Sequence, residues 1–148
     1  MLDKLRDLIR ENADDAIIRN PAVPNERNDE VIEETSNSLF NSLKGNANSG
    51  GISSIKELFQ QGGDNAGAHP VTKNVSNNVA GDLMKKFGFD HGTASAIAAK
   101  LIPLVMGRLV NKTNDPNDNS FGFDDILGSL SGKKGGGILG SLKGMMSR

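Results

Sequence analysis

The chain has 148 residues, enough for one domain with a real hydrophobic core. It contains no cysteine, which excludes disulfides, thiolate metal sites and cysteine nucleophiles, and its formal net charge of −1 creates no general attraction for nucleic acid or anionic lipid. The charge is uneven, however: residues 1–44 carry ten acidic and six basic side chains, whereas residues 132–148 carry four basic side chains and no acidic one.

The first third of the chain predicts two helices. Apolar residues recur at helical spacing over residues 2–18, and Asn20, Pro21 and Pro24 end that first helix. Asn28 or Asp29 is a suitable N-cap for the second helix. The predicted apolar face of this second helix comprises Val31, Ile32, Thr35, Leu39, Phe40 and Leu43.

The middle of the chain alternates glycine-rich breaks with short helices. Residues 45–51, GNANSGG, predict a flexible break, and residues 61–70 predict a loop. Between them lies a short third helix with Ile52, Ile55, Leu58 and Phe59 on its apolar face. A fourth helix is predicted to start at Thr72 or Asn74 and to reach Phe87.

A fifth helix, from about Thr93 to Lys112, is predicted to be the centre of the core. Its apolar residues cover most of its circumference, so neighbouring helices must surround it. Pro103 lacks a backbone N–H, and we expect it to bend the helix near the Ala99 carbonyl, so that the helix wraps against the second and fourth helices. The expected buried residues are Ile97, Leu101, Ile102, Leu104, Val105 and Leu109.

The remaining elements complete an all-α prediction. Residues 114–120 predict a turn, and residues 123–130 predict a sixth, short helix that begins with Asp124 and Asp125. No stretch alternates with the two-residue period of a strand. The predicted fold is a multihelical array of about six short helices around a central apolar helix. This helical domain spans residues 1–131, and a Gly-rich basic tail spans residues 132–148.

The candidate metal and catalytic residues are few. His69 and His91 lie in predicted loops without the i,i+4 partner of a helix-borne zinc site, so we expect surface positions, with a turn or capping role for His91. Asp115, Asn117 and Asn119 alternate as in a calcium loop, but the sixth and twelfth positions are Ser120 and Ile126 instead of glycine and glutamate. We therefore predict no cofactor, and whether this loop holds an ion stays open.

Catalysis and DNA reading are both disfavoured. An enzyme would need carboxylates such as Asp82, Asp124 and Asp125 to converge, and no nucleophile–base motif is readable, so we predict a non-enzymatic protein. The corner at residues 87–93 could belong to a helix-turn-helix. The helix after it carries only Lys100 and Arg108 as charged residues, which argues against a recognition helix.

The tail has a regular glycine spacing that could accept a close partner. Glycine recurs at every fourth residue, which on a helix leaves a smooth stripe for another backbone. Seven glycines between residues 128 and 144, at about 1 kcal/mol each, oppose a helix in water by about 7 kcal/mol, so we expect the tail to be flexible until a partner binds. The predicted partner-binding residues are Gly128, Gly132, Gly136, Gly140, Gly144, Ile138, Leu139, Leu142 and Met145.

The sequence also resembles a known family. The pattern LxxxFG…ASxIAxxLIPLVxxxL within Leu83–Val110, the HPVT sequence at 69–72 and the Gly-rich end are similar to those of the YidB-like bacterial proteins. The domain of that family has no assigned function. The resemblance implies a small multihelical array and a bacterial source, and it supplies no catalytic residue.

Two functional hypotheses remain. The first is a cytoplasmic protein–protein interaction or assembly module, whose tail binds an unidentified protein partner or a second copy of the chain. The second is binding to a membrane surface or to nucleic acid through the basic amphipathic tail, although the small charge argues against nucleic acid. No secretory signal is predicted, and no segment has the roughly 20 consecutive apolar residues of a transmembrane span.

Overall fold

The computed structural model describes residues 2–117 and 122–130, and every regular element within them is helical. The predicted all-α class is therefore confirmed, while the predicted tail, residues 132–148, lies outside the described residues. The α-helices in the described ranges are α1 (Leu2–Glu11), α2 (Asn28–Asn46), α3 (Ile52–Gln60), α4 (Gly63–Ala66), α5 (Pro70–Phe87), α6 (His91–Asn114) and α7 (Phe123–Leu130). Helix α5 packs closely against both α2 and α6, and these three helices form the middle of the fold.

The first predicted helix is shorter than expected. Helix α1 ends at Glu11, where the Asn12 side chain donates a hydrogen bond to the Leu8 carbonyl at 2.8 Å. Asparagine competes in this way with the backbone N–H groups that would continue the helix. A π-helical turn, Asp14–Ile18, follows and keeps Ala16 and Ile17 buried. The periodicity thus identified the correct core face but not the interruption.

The predicted flexible break at residues 45–51 is wrong, because the chain stays helical there. A π-helical turn, Ala47–Gly51, joins α2 directly to α3. A Cβ atom on Gly51 would overlap the carbonyl oxygen of Asn46, so the missing side chain lets this wider turn close. Glycine enables a close backbone approach here and does not end the helix.

Helix α4 was missed in the sequence, where residues 61–70 predicted only a loop. It lies against α6 at Pro103, Gly107 and Asn111, which follow one another at intervals of about one turn. A Cβ on Gly67 would lie 3.2 Å from the Pro103 Cβ, and a Cβ on Gly107 would lie 3.1 Å from the Gly63 carbonyl oxygen. The backbone N–H of Gly63 donates to Asn111 Oδ1 at 3.2 Å. The glycines that suggested a loop allow α4 to approach α6.

The prediction that α6 is a core helix is confirmed with one exception. Leu104 is 41% exposed, so the apolar residues do not bury the whole circumference. Of the two neighbours expected for this helix, the fourth predicted helix, α5, does pack on α6, whereas α2 packs on α5 instead, and α4 is the other close neighbour. Pro103 lies inside the helix as predicted. The residues confirmed as buried are Ile97, Leu101, Ile102, Val105 and Leu109.

Helix α6 also has a composition that would suit a membrane. It is the one described helix long and apolar enough to cross a bilayer, with a mean hydropathy of 1.4 over its most apolar window. Half of that window is buried inside the fold. The core helix of a soluble protein has the same properties, so this composition is weak evidence for a membrane span.

The corner between α5 and α6 is built by Gly88 and Asp90. Gly88 has a φ of 72° and donates its N–H to the Met84 carbonyl at 2.9 Å, which ends α5 in the left-handed conformation that glycine favours. Asp90 is the N-cap of α6, and its Oδ1 accepts the Thr93 N–H at 2.8 Å. His91 is only the first, exposed residue of the helix, so the capping role expected for it belongs to Asp90.

The Asp90 cap should weaken at acid pH. Hydrogen bonds from the side chain and then the backbone of Thr93 hold the pKa of Asp90 below its ordinary value. The ionised carboxylate therefore stabilises the folded chain above the ordinary aspartate pKa of about 3.9, and this stabilisation is lost as pH falls through the lowered pKa. Asp90→Asn keeps a capping oxygen that does not titrate, so urea unfolding of this variant should change less between neutral and acid pH than that of the unchanged chain. Equal losses would contradict this role.

Candidate functional site

Helices α2 and α5 run antiparallel and are joined by polar side chains. Three polar residues on α2, spaced one turn apart, pair with three on α5 that have the same spacing. We call this row of pairs the polar seam. The pairs are Ser38 with Asp82, Ser42 with Asn78, and Asn46 with Asn74. Their regular spacing aligns the two helices over about two turns.

The chemistry of the polar seam is that of a structural contact. Ser38 Oγ donates to Asp82 Oδ2 at 2.5 Å, and Asn78 Nδ2 donates to Ser42 Oγ at 2.7 Å. Both serines are buried, which makes a missing partner costly. Ser38 meets a carboxylate directly, without the intervening imidazole that accepts the proton in a catalytic triad. The pair is therefore poorly suited to activate a nucleophile.

A cleft of about 320 Å³ lies along the polar seam. It contains one carboxylate, Asp82, and one ammonium group, Lys85. Asp124 and Asp125 are exposed on α7 and do not line it, so the structure does not bring the three suggested carboxylates together here. The lining residues are Ser38, Asn41, Ser42, Asn77, Asn78, Gly81, Asp82 and Lys85.

His69 is not the surface residue that the sequence suggested. Its side chain is the N-cap of α5, and only 3% of the residue is exposed. Nδ1 accepts the Val71 N–H at 3.1 Å, and Nε2 lies 3.1 Å from Glu57 Oε1. Because Nδ1 accepts a hydrogen bond, the neutral ring carries its proton on Nε2, and this N–H donates a hydrogen bond to Glu57. The available signal was Pro70, since proline is common at the first position of a helix and the residue before it is the N-cap.

The surroundings of His69 form a second cleft, of about 540 Å³, between α3 and the start of α5. A metal ion binds a histidine nitrogen through its lone pair. In this tautomer Nε2 carries a proton, so it has no lone pair to offer a metal ion. Among the described residues, no three His, Asp or Glu side chains are grouped so that they could hold a metal ion. The cleft is lined by Glu57, Gln61, Asn65, Ala68, His69 and Pro70.

The aspartate- and asparagine-rich loop is described only at its start. Helix α6 ends at Asn114, and Asp115 Oδ1 then accepts the Asn117 N–H at 2.9 Å. This is an Asx turn, which agrees with the predicted turn after the fifth helix. Asn119 and Ser120 lie outside the described residues, so the question of an ion in this loop stays a prediction.

Of the predicted partner-binding residues, the structure describes Gly128. It lies within α7 and is exposed. The other predicted residues, Gly132, Gly136, Gly140, Gly144, Ile138, Leu139, Leu142 and Met145, lie outside the described residues.

Comparison with known proteins identifies a family but no activity. Residues 69–148, more than half of the chain, match the family described as "Bacterial protein of unknown function (DUF937)". No curated protein and no solved structure matches the chain. The matched region starts at His69, the N-cap of α5, and includes α5, α6, α7 and the basic tail. The chain therefore belongs to this bacterial DUF937 family, which includes the YidB-like proteins that its sequence resembles.

Proposed function

We propose that the chain is a non-enzymatic helical protein that acts through protein–protein contacts, with residues 132–148 as its docking segment. The observation that carries this proposal is the way α7 is attached. Helix α7 packs against α2, and its residues Ile126 and Leu130 are completely buried. The docking segment therefore follows a helix that is fixed to the body and starts two residues after a core position.

The composition of the docking segment supports a contact with another protein. Its four basic side chains and the absence of acidic ones favour a partner with an acidic surface. Glycine at every fourth residue suits a close backbone approach, and an apolar cluster of two Leu, one Ile and two Met flanks that stripe. Gly128, which begins the spacing, already lies on helix α7.

The cleft along the polar seam and the cleft at His69 support the non-enzymatic part of the proposal. In one, the Ser38 hydroxyl is bonded to a carboxylate without an imidazole between them. In the other, His69 uses both ring nitrogens in hydrogen bonds within the protein, so the imidazole offers no unoccupied lone pair to a substrate. The second histidine, His91, is exposed at the first turn of α6.

Deletion of residues 132–148 tests the proposal directly. Because the proposal places these residues outside the core, the melting temperature should change by less than about 3 °C. Partner capture by the immobilised chain, with bound proteins identified by mass spectrometry, should be abolished. A deletion that unfolds the body would show that these residues belong to the core and would contradict the proposal.

The glycine spacing can be tested with a matched pair of variants. Gly136→Leu with Gly140→Leu places bulky side chains on the predicted stripe and should abolish capture. Gly135→Leu with Gly137→Leu adds the same volume in the same segment away from the stripe and should retain capture. Equal effects of the two pairs would rule out the stripe as the contact.

The alternative hypothesis is binding to a membrane surface or to nucleic acid, and it predicts different binding partners. It is favoured if the chain co-sediments with anionic vesicles, or shifts duplex DNA, at about 150 mM salt, where weak electrostatic contacts are screened. The protein–protein proposal expects neither interaction to persist at that salt concentration.

A further inference from the structure

Helix α5 begins with an unusual cap, in which an imidazole nitrogen takes the place of a side-chain oxygen. Most N-caps are Ser, Thr, Asp or Asn, whose side-chain oxygens accept a backbone N–H over the whole neutral and mildly acid range. Here the acceptor is Nδ1 of His69, which can accept the Val71 N–H only while it carries no proton. We propose that His69 is a pH-dependent cap, which holds the start of α5 in place when it is neutral and releases it when it is protonated.

The hydrogen bonds of His69 determine what protonation changes. The second proton must go to Nδ1, because Nε2 already donates to Glu57. Nδ1–H would then face the Val71 N–H, and two donors cannot share a hydrogen bond, so the cap is lost. The bond from Nε2 to the Glu57 carboxylate becomes a bond between opposite charges and is strengthened. Protonation therefore exchanges a contact within α5 for a stronger contact with α3.

The charged groups closest to His69 in the structure or in the chain belong to α3, α4 and α5. Glu57 of α3 is the charged side chain that lines the cleft with His69. Asp64 of α4 and Lys73 of α5 lie near His69 in the chain but do not line this cleft. At this end of the fold α6 contributes Pro103, which is uncharged and packs near Gly67. Glu57 is therefore the charged side chain that a protonated His69 would face across this cleft.

The expected structural result is a local opening at one end of the helix. Val71 and Thr72 are 5% and 1% exposed, so loss of the cap would give water access to buried backbone in the first turn of α5. The remaining turns are held by the polar seam to α2 and by packing on α6. This inference concerns the body of the protein, and it does not depend on the function proposed for residues 132–148.

Amide hydrogen exchange of the full chain, measured by NMR, tests the inference. After correction for intrinsic chemical exchange, exchange of the Val71 amide should rise about tenfold between about pH 7.5 and about pH 5, as expected when one N-cap bond is lost. His91→Asn removes the exposed histidine and should leave this rise unchanged. His69→Asn retains a capping oxygen that does not titrate, and it should abolish the rise.

The imidazole itself provides a second measurement that does not depend on folding of a variant. The ¹⁵N shifts of His69 in the unchanged chain should show an unprotonated Nδ1 at about pH 7.5, and its protonation should follow the same pH curve as the Val71 exchange. The inference is overturned if Val71 exchange is independent of pH, if His69→Asn shows the same rise, or if Nδ1 becomes protonated without faster exchange.

Discussion

Replacement of Leu101 with alanine should lower the free energy of unfolding by about 2–5 kcal/mol. Leu101 is completely buried on α6, the helix that packs against α5, α4 and α1. Alanine would remove apolar surface and leave a cavity that rigid neighbouring helices fill only in part. For a domain of this size such a loss is a large part of the total stability, so the variant should unfold at much lower urea concentration.

Leu104→Ala is the matched control for this prediction. The same substitution is made on the same helix three residues later, where the side chain is 41% exposed. Its expected cost is below about 1 kcal/mol, because no closed cavity forms at a surface position. Urea denaturation followed by circular dichroism measures both variants. A cost below about 1 kcal/mol for Leu101→Ala would show that α6 is peripheral, contrary to the fold described.

Gly51→Ala should also destabilise the protein, by about 1–3 kcal/mol, through overpacking. The added methyl group would overlap the carbonyl oxygen of Asn46, which is backbone and cannot rotate away like a side chain. The π-helical turn between α2 and α3 would have to rearrange, and this would displace Ile55 and Leu58 from the core.

Gly45→Ala, six residues earlier in the chain, should have the opposite effect on stability. Gly45 lies inside α2, and a Cβ atom built there meets nothing within 4 Å. Alanine should therefore raise stability by about 0.5–1 kcal/mol, because it favours the helix without creating a clash. Thermal and urea unfolding of the two variants should move in opposite directions. Stabilisation by both substitutions would show that the turn does not need glycine at position 51.

The sequence predicted the core better than it predicted the connections. The helical spacing of the apolar residues predicted burial at Ile97, Leu101 and Leu109, and these residues are buried in the structure. A buried helix must present apolar residues to its neighbours. The connections failed where glycine was interpreted as a break: Gly51 closes a π turn, and Gly63 lets α4 contact α6. A sequence shows that a side chain is missing, but not whether a backbone approaches the vacant space.

The candidate site was harder to predict than the fold. Ser38 and Ser42 are spaced one turn apart on α2, and Asn78 and Asp82 are spaced one turn apart on α5, so each polar row was visible in the sequence. Their pairing depended on the alignment of two separate helices, which no local pattern gives. The position of His69 had a local signal in Pro70. Histidine is not a usual N-cap, and this made the signal easy to overlook.

The polar seam opposes sliding of α5 along α2 more strongly in one direction than in the other. A shift of one turn, about 5.4 Å, towards the start of α2 would bring Asp82 opposite Glu34, and two carboxylates would repel each other. A shift of one turn the other way would bring Asp82 opposite Ser42 and Asn78 opposite Asn46, which are acceptable partners. That shift would also place Asn74 opposite Gly50, which has no side chain, so one of the three seam bonds would be lost. The seam therefore opposes this movement less strongly, and the fit of the apolar side chains beneath it must resist the rest.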